Sequence, residues 1–402
     1  MIVGGGFAGV SAGLTLSRNL PKGYSLTFID RNPFHTFTPS LYEVANSEEP
    51  QKNIAIPFSE IFPKIVEIVK GEIDKVDIKN KKLNIKNGRE VNFDYLIVAL
   101  GSESAFYGIS GLAEFSFSLK TVADAVKIKD EIHKLCDQKA LKGEKVNIIV
   151  GGGGFAGTEL AAEILCYDDF LSKEHKVDRK LFDVFIIQGS DKLLKELDED
   201  VSNIATNRLK RLGANFIFGS HIKEVKKNEL ATDKDDLPAG KAEKFKFDIL
   251  IWTGGVKANS LLAGSGLALS KSGQVPVNEY LQIKENPNIF AVGDIAEFTD
   301  VATQKKAPGV AQVAQEQGKI AGENVVNLIE NKSLKPYKLR HFGYLIPLKG
   351  RYAVFTSGML HIKGFLGWII QQVIFLRYLL EILSFPKAFR RWNEFEKDLR
   401  QE

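Results

Sequence analysis

Cysteine is almost missing from this chain: two residues, Cys136 and Cys166, among 402. They form neither a CxxC pair nor a metal-ligand spacing, so no thiol-exchange motif and no cysteine-based metal site is expected. A reducing compartment suits such a chain. The six histidines show no metal spacing either. An excess of one charge sign is also lacking, with 54 Lys+Arg against 50 Asp+Glu and a net charge of +4. That argues against a dedicated nucleic-acid binder, which concentrates basic residues on one face. The N-terminus has no basic segment followed by an apolar stretch and a small-residue cleavage site, so no secretory signal is expected. Low-complexity tracts are missing too. What remains is a globular chain, 44% hydrophobic and long enough for two or three domains.

Glycine, by contrast, is abundant and patterned. The hexapeptide GGGFAG occurs at residues 4–9 and again at 152–157. In a dinucleotide-binding turn the first Gly bends the chain after a strand, and the second lets backbone approach a pyrophosphate. The third lets the following helix pack on the strand. Gly4, Gly6 and Gly9 fill these places in the first copy, around Phe7 and Ala8; Gly152, Gly154 and Gly157 fill them in the second, around Phe155 and Ala156. SLTFID (25–30) reads as the next strand of the first unit and ends in Asp30, about 20 residues on, where an acid meets a ribose hydroxyl. FDVFIIQ (182–188) is its counterpart in the second. A lone GxGxxG is equally well an arbitrary loop, but two complete strand–turn–helix–strand units are not.

The expectation is therefore an α/β protein with two Rossmann-like domains, one for FAD and one for NADH or NADPH. Hydride would pass from nicotinamide to flavin. FDYLIVALGSES (93–104) carries a turn at Gly101, and FDILIWTGGVKAN (247–259) repeats it at Thr253 and Gly254. NIFAVGDIAEF (288–298) ends a strand at Gly293-Asp294, where a carboxylate can accept from a ribityl chain; alone it would read as a turn. The first copy has only Met1-Ile2-Val3 before it, so either native residues are missing or the sheet tolerates a stub. A truncated or misassigned start is the expectation.

Together these residues resemble the two-dinucleotide-binding-domain flavoproteins, and within them the type II NADH:quinone oxidoreductases, over nearly the whole chain. NPFHTFTPSLYEVA (32–45), AQVAQEQG (311–318) and an aromatic-rich tail carry the likeness beyond the glycine turns. The resemblance adds Arg31, Phe37, Pro39 and Ala311 to the cofactor-binding residues. Relatives that reduce disulfides, peroxide or sulfide work through cysteines. The loop around 35–45 offers Ser40 and Tyr42 instead, so electrons are expected to leave from the flavin itself. Cys136 and Cys166 read as small apolar helix residues, and His35 as a local hydrogen-bonder.

On the nicotinamide side, Gln188 stands where the family places an acid. A neutral amide does not repel a 2′-phosphate, and Lys192 follows four residues on, so NADPH is expected to be accepted. The competing reading is that Gln188 binds both ribose hydroxyls and keeps an NADH preference. Glu159 matches the family's acid near the nicotinamide; a first-turn acid favoured by the helix dipole is the plainer account.

On the quinone side, residues 311–329 have helical spacing, with Ala311, Ala314, Ile320, Ala321 and Val325 as a packed face. The family pattern Ala-Gln-x-Ala-x-Gln gives Gln312 and, as a departure, Glu316. At i and i+4 both can point into one site. Buried beside a quinone, Glu316 would have a raised pKa and could carry a proton. Otherwise it faces solvent, and Gln315 or Gln317 takes its place.

Residues 364–385 are the most apolar stretch, interrupted by Gln371, Gln372, Arg377 and Glu381. The expectation is a helix lying in the membrane interface, with Trp368, Phe375 and Tyr378 towards lipid and Arg377, Glu381 and Ser384 as a polar stripe. Lys387, Arg390, Arg391 and Trp392 would sit at headgroup level. A buried helix pair or a homodimer interface is the alternative. Residues 71–96 read as a β-meander and 227–248 as a hairpin or solvated loop. The expected domains are FAD (1–120 and 245–330), NAD(P)H (121–244) and C-terminal membrane association (331–402). The leading reading is a peripheral enzyme on the cytoplasmic face of a membrane that passes electrons from NAD(P)H through FAD to a quinone, without proton pumping. A soluble FAD reductase of a small electron-carrier protein is the runner-up, and a non-catalytic dinucleotide sensor the reading from another class.

Overall fold

Two parallel sheets carry the two glycine turns. The computed structural model describes residues 1–45, 54–86, 88–174, 180–234, 242–284, 286–340 and 343–401. The first sheet runs in the order Gln282–Ile283, Asn286–Ala291, Leu96–Val98, Ile2–Val3, Leu26–Asp30, Val66–Lys70. All neighbours are parallel except the outermost pair. The strand inside the sheet beside Leu26–Asp30 is only two residues long. Ile2 and Val3 are fully buried and paired on both sides, to Phe28 and Ile29 and to Ile97 and Val98. The ladder continues one rung further, from Ile97 N–H to the Met1 carbonyl.

The second sheet runs Phe117–Ser118, Ile249–Trp252, Val146–Gly151, Phe182–Gln188, Asn215–Phe218, all parallel. Its central strand VNIIVG is buried on both faces, as a parallel sheet with helices on each side requires. Phe117–Ser118 and Ile249–Trp252 come from both flanks of the expected 121–244 insertion.

The longer helices are α1 (Phe7–Asn19), α2 (Val122–Lys139), α3 (Phe155–Glu174), α4 (Glu199–Leu212), α5 (Ala311–Ile329), α6 (Phe365–Ile382) and α7 (Phe385–Gln401). α1 and α3 follow the two turns. α5 crosses α1 closely, because Gly318 lies on the Ala8 carbonyl and Gly322 against Ala12 and Thr15. That contact turns Ala314, Ala321 and Val325 inward as expected, while Ile320 lines a cavity instead. The expected meander is present as Ile73–Asp77, Lys82–Ile85 and Glu90–Asn92. Glu229–Lys234 and Glu243–Lys246 form the expected hairpin; residues 235–241 of that segment lie outside the described residues.

The tail is a three-stranded antiparallel sheet (Tyr344–Pro347, Ala353–Ser357, Leu360–Gly364) followed by α6 and α7. It holds both domains. Lys349 Nζ pairs with the buried Glu163 of α3 at 2.8 Å, while Tyr378 of α6 packs on Phe7 of α1. Two expectations about its outer face are corrected. Phe375 and Tyr378 are buried, 3% and 5% exposed, in an aromatic cluster with Phe37 and Phe7. Trp368 is half-buried under the Arg351 guanidinium. The exposed face is mainly aliphatic instead: Leu366, Ile369, Val373, Ile374 and Leu380, with Phe365. Arg377 and Glu381 are exposed and paired at 3.0 Å, so the polar stripe is real. Arg391 is not at a headgroup level, since it is buried and paired with Glu60 at 2.9 Å.

Candidate active site

The two glycine turns are built alike. Gly4 (φ +100°) and Gly152 (φ +111°) adopt backbone that favours glycine. A Cβ on Gly4 would collide with the Ala99 carbonyl, and one on Gly152 with the backbone of Gly254. Gly9 and Gly157 press on the carbonyls of Gly4 and Gly152. Gly6 and Gly154 face open space. At Gly6 α1 begins without a side-chain cap and with no acid in its first turn, which leaves its N–H groups and positive end for an anion. The same tight turn, open enough at its second glycine for a ligand to approach, is made twice.

The brace behind each turn is shared too. Gly5 N–H donates to Asp30 Oδ2 at 2.6 Å, and Gly153 N–H donates to Gln188 Oε1 at 2.8 Å. Gln188 is thereby oriented, with its oxygen on the turn and its Nε2 donating to Ser190 Oγ at 2.7 Å. Burial raises the Asp30 carboxyl, opposed by the Asn32 and Gly5 N–H groups and the Arg31 charge. Arg31 and Pro39 are exposed. Gly101 also adopts a positive φ of 66°. On the second turn, Thr253 Oγ1 donates to the carbonyls of Gly151 and Gly152, which holds Thr253 against that turn. Phe155 packs on Tyr344 of the tail.

A cavity of about 220 Å³ lies where the domains meet, with Leu41 and Tyr42 on one side and Ala156, Glu159 and Thr253 on the other. Burial, and then the neighbouring Glu43 carboxylate, push Glu159 well above the usual carboxylate range. Glu43 itself is buried beside Tyr42. Lys120, on the cavity wall, donates to Ser102 Oγ at 2.8 Å, and Ser102 donates to Asp294 Oδ2 at 2.5 Å. Asp294 therefore sits within reach of a hydroxyl and an ammonium at this boundary. Glu43, Ser102 and Lys120 were not singled out from the sequence, although Glu43 lies inside the 32–45 segment.

A larger cavity, about 770 Å³, runs between α1, α5 and α6. Gln312 and Glu316 both line it, with Phe7, Tyr337, Arg377 and Tyr378 among the other walls. Burial raises the Glu316 carboxyl, while Arg340, Lys319 and Arg377 pull it back. Gln317 cannot replace Glu316, because its Oε1 accepts from Gly293 N–H at 2.7 Å and the residue is 1% exposed. Gln315 also lines the cavity but donates to Glu381 at 3.2 Å. Ala311, half-buried, opens the helix.

One contact ties this cavity to the first turn. His35 is fully buried, with Nδ1 at 2.9 Å from the Gly5 carbonyl and Nε2 at 2.6 Å from the Tyr378 hydroxyl. A carbonyl only accepts, so Nδ1 carries the hydrogen and Nε2 accepts from the tyrosine. Burial lowers the imidazole pKa to about 4, so it is neutral near pH 7. His35 is a hydrogen-bonder, as expected, but one partner lies in the distant tail. Cys136 is buried with its thiol pushed up to about 12, Cys166 is elsewhere on α3, and neither lines the two cavities.

The pyridine nucleotide-disulphide oxidoreductase family matches residues 1–318. The type II NADH:quinone oxidoreductase of Haemophilus influenzae is 28% identical over 385 residues, covering 87% of this chain and 84% of the relative. The protein of the same name from Staphylococcus saprophyticus is 24% identical over 397 residues, 97% of each. Among solved structures, NDH2 from Plasmodium falciparum in complex with NADH aligns with a TM-score of 0.87 at 18% identity, over 98% of this chain and 97% of that one. The sulfide:quinone oxidoreductase of Aquifex aeolicus aligns with a TM-score of 0.77, also at 18% identity, over 94% and 90%. These structural likenesses concern the fold.

Proposed function

Because the chain belongs to the pyridine nucleotide-disulphide oxidoreductase family, we infer that it is an FAD-dependent NAD(P)H:quinone oxidoreductase of the type II kind, working at a membrane surface. The first turn fits FAD: bare N–H groups await a pyrophosphate, Asp30 stands at the ribose and Asp294 at the ribityl chain. The second turn fits NAD(P)H. When bound, FAD takes a hydride from the nicotinamide and hands two electrons to the quinone. Glu159, its carboxyl pushed upward by burial and by Glu43, lines the boundary cavity where nicotinamide and flavin would meet. The FAD domain takes in 1–120 and 245–330 and the NAD(P)H domain 121–244, except that Phe117–Ser118 and Ile249–Trp252 cross the borders to join the second sheet; 331–402 associates with the membrane.

The observation that carries this reading is the cavity that joins Gln312 and Glu316 to α6. Among the described residues, α6 is the one helix long and apolar enough to cross a membrane, and its outer face is aliphatic. It lies on the bilayer, on the side where NAD(P)H is supplied. A lipid-soluble quinone can then enter from lipid while NAD(P)H arrives from water, which a soluble carrier reductase would not need. Anaerobic addition of NADH should bleach the flavin spectrum and a short-chain quinone should restore it. Recolouring by a small carrier protein and by no quinone would overturn the reading.

Quinone reduction to quinol consumes two protons, and Glu316 is placed to deliver one. Its donor form is present below its raised pKa and is lost as pH rises through it. Glu316→Gln is therefore expected to flatten the alkaline fall in quinone reduction while NADH-driven flavin reduction stays unchanged. The effect on the quinone half-reaction should reach about a hundredfold, the low end of general-acid contributions. A pH profile identical to that of the unsubstituted enzyme would remove Glu316 from proton delivery.

Gln188 presents no anion to the adenosine ribose, so NADPH is expected to be used along with NADH. Steady-state kcat/KM for the two should agree within about tenfold, a difference of about 1.4 kcal/mol. A much stronger NADH preference would show that the braced amide selects the free 2′-hydroxyl.

A further inference from the structure

We propose that the mouth of the larger cavity is a docking site for anionic lipid headgroups, their phosphates held by Arg18, Lys319, Lys338 and Arg340. It rests on the membrane reading and names the lipid class. The four cations come from three segments. Arg18 lies in the last turn of α1, Lys319 on α5, and Lys338 and Arg340 in residues 332–340 beyond it. All four line the one cavity, and all four are exposed.

The other charges on that wall are already matched. Glu381 is paired with Arg377 at 3.0 Å, and Glu323 with Lys335 at 2.9 Å. Glu316 is the remaining carboxylate, and burial works against its charge. Lys319 and Arg340 act on it as nearby charges. Among the described residues, however, none of the four cations is in an ion pair or donates a side-chain hydrogen bond. Four positive charges facing one half-buried carboxylate repel one another until an anion sits among them.

Continuity of the surface says which anion. Leu380 lines the cavity and also belongs to the exposed aliphatic face of α6, at 42% exposure. The cationic mouth and the aliphatic face are therefore one surface. Such a surface matches a leaflet, with acyl chains against the aliphatic residues and phosphates against the cations. The long stems of Arg and Lys carry their charge to the phosphate layer while the carbons lie on apolar surface. A soluble phosphate would find the cations but would leave Leu366, Ile369 and Val373 in water. Gln312 and Glu316 line the same cavity. Headgroups bound at its mouth hold it open to the layer in which a quinone is dissolved.

Arg18→Gln, Lys319→Gln, Lys338→Gln and Arg340→Gln combined remove the charge and keep polar side chains. The FAD-loaded protein is sedimented with vesicles of mixed phosphatidylglycerol and phosphatidylcholine. One cation near an anionic leaflet strengthens binding about fivefold, so the four replacements should weaken it by about a hundredfold or more. Pelleting with pure phosphatidylcholine should be the same for both proteins, as should the melting temperature and the rate of flavin reduction by NADH. Lys75→Gln, Lys79→Gln, Lys81→Gln and Lys86→Gln combined are the charge-matched control. These exposed residues lie on the meander, which packs on the face of the first sheet opposite to α1. The control should bind within about twofold of the parent, its charges being screened from the leaflet. Equal losses in the two variants, or no loss in the first, would overturn the proposal. Displacement of the parent by glycerol phosphate at constant ionic strength would overturn it too, by assigning the cations to a soluble phosphate ester. Equal binding of the parent to neutral and anionic vesicles would leave them to an acidic protein instead. A parent that pellets with neither vesicle would remove the membrane reading and the proposal with it.

Discussion

Glutamate at positions 366, 369 and 373 together is expected to move the protein from sedimented vesicles into the supernatant, with NADH-dependent reduction of a water-soluble quinone retained. Leu366, Ile369 and Val373 lie on successive turns of the exposed face of α6, at 63%, 39% and 61% exposure. Taking a fully exposed side chain of this size out of water contributes about 1.5–3 kcal/mol, so the exposed portions of the three supply roughly 2.5–5 kcal/mol of membrane attachment. Each 1.4 kcal/mol is a factor of ten, so partition should fall at least about fiftyfold even before charge is counted. Sedimentation with vesicles containing anionic lipid reads this directly. Undiminished pelleting would mean that the aliphatic face is not the anchor. Deleting residues 364–402 is the weaker experiment. It would also remove Phe375 and Tyr378 from the cluster around Phe7 and Phe37, and Arg391 from Glu60. Attachment and folding would then fail together.

Gly318→Val should give a protein that purifies without its yellow colour. At Gly318 the backbones of α1 and α5 come so close that a Cβ would strike the Ala8 carbonyl, which is backbone and has no rotamer to escape through. Either helix has to shift. Because α1 begins at the first glycine turn, a shift misaligns the N–H groups offered to the FAD pyrophosphate. Overpacking of this kind costs about 1–3 kcal/mol and sometimes more, which for a large domain lowers the melting temperature by several degrees. Flavin-to-protein absorbance and a thermal melt measure both consequences. Gly322→Ala is the graded control: its nearest neighbours, Thr15 Cβ at 3.0 Å and the Ala12 carbonyl at 3.1 Å, leave room for a small adjustment. Full flavin content in Gly318→Val would show that the crossing is more pliant than its geometry implies.

What was legible in the sequence is what is local. The turns at 4–9 and 152–157, the strands after them and the helix at 311–329 each follow from a few adjacent residues. Asp30 and Gln188 lie one strand away and were singled out from position as ribose contacts, but the braces they make to the turns were not read. The orientation of α6 was not. A helix with only a narrow polar stripe on an otherwise apolar surface leaves open which apolar residues turn inward, so a tertiary partner decides. Tyr378 has His35 as that partner, and aromatic rings bury more surface than the aliphatic residues left outside. Arg391 reads as a headgroup residue until Glu60 is placed beside it. Glu43, buried beside Tyr42, and the cations gathered at the larger cavity from α1, α5 and residues 332–340 are visible only once chain segments far apart in sequence are brought together.

The hydrogen-bonded line from Tyr378 through His35 to the Gly5 carbonyl links the outermost helix to the innermost turn. Gly5 N–H meanwhile holds the Asp30 carboxylate. If α6 is the anchor, bilayer and flavin are heterotropic ligands of one folded state. Anything that binds the native form preferentially stabilises it, and the coupling between two such ligands is equal in both directions. Lipid then tightens the hold on flavin by the same factor by which flavin tightens the hold on lipid.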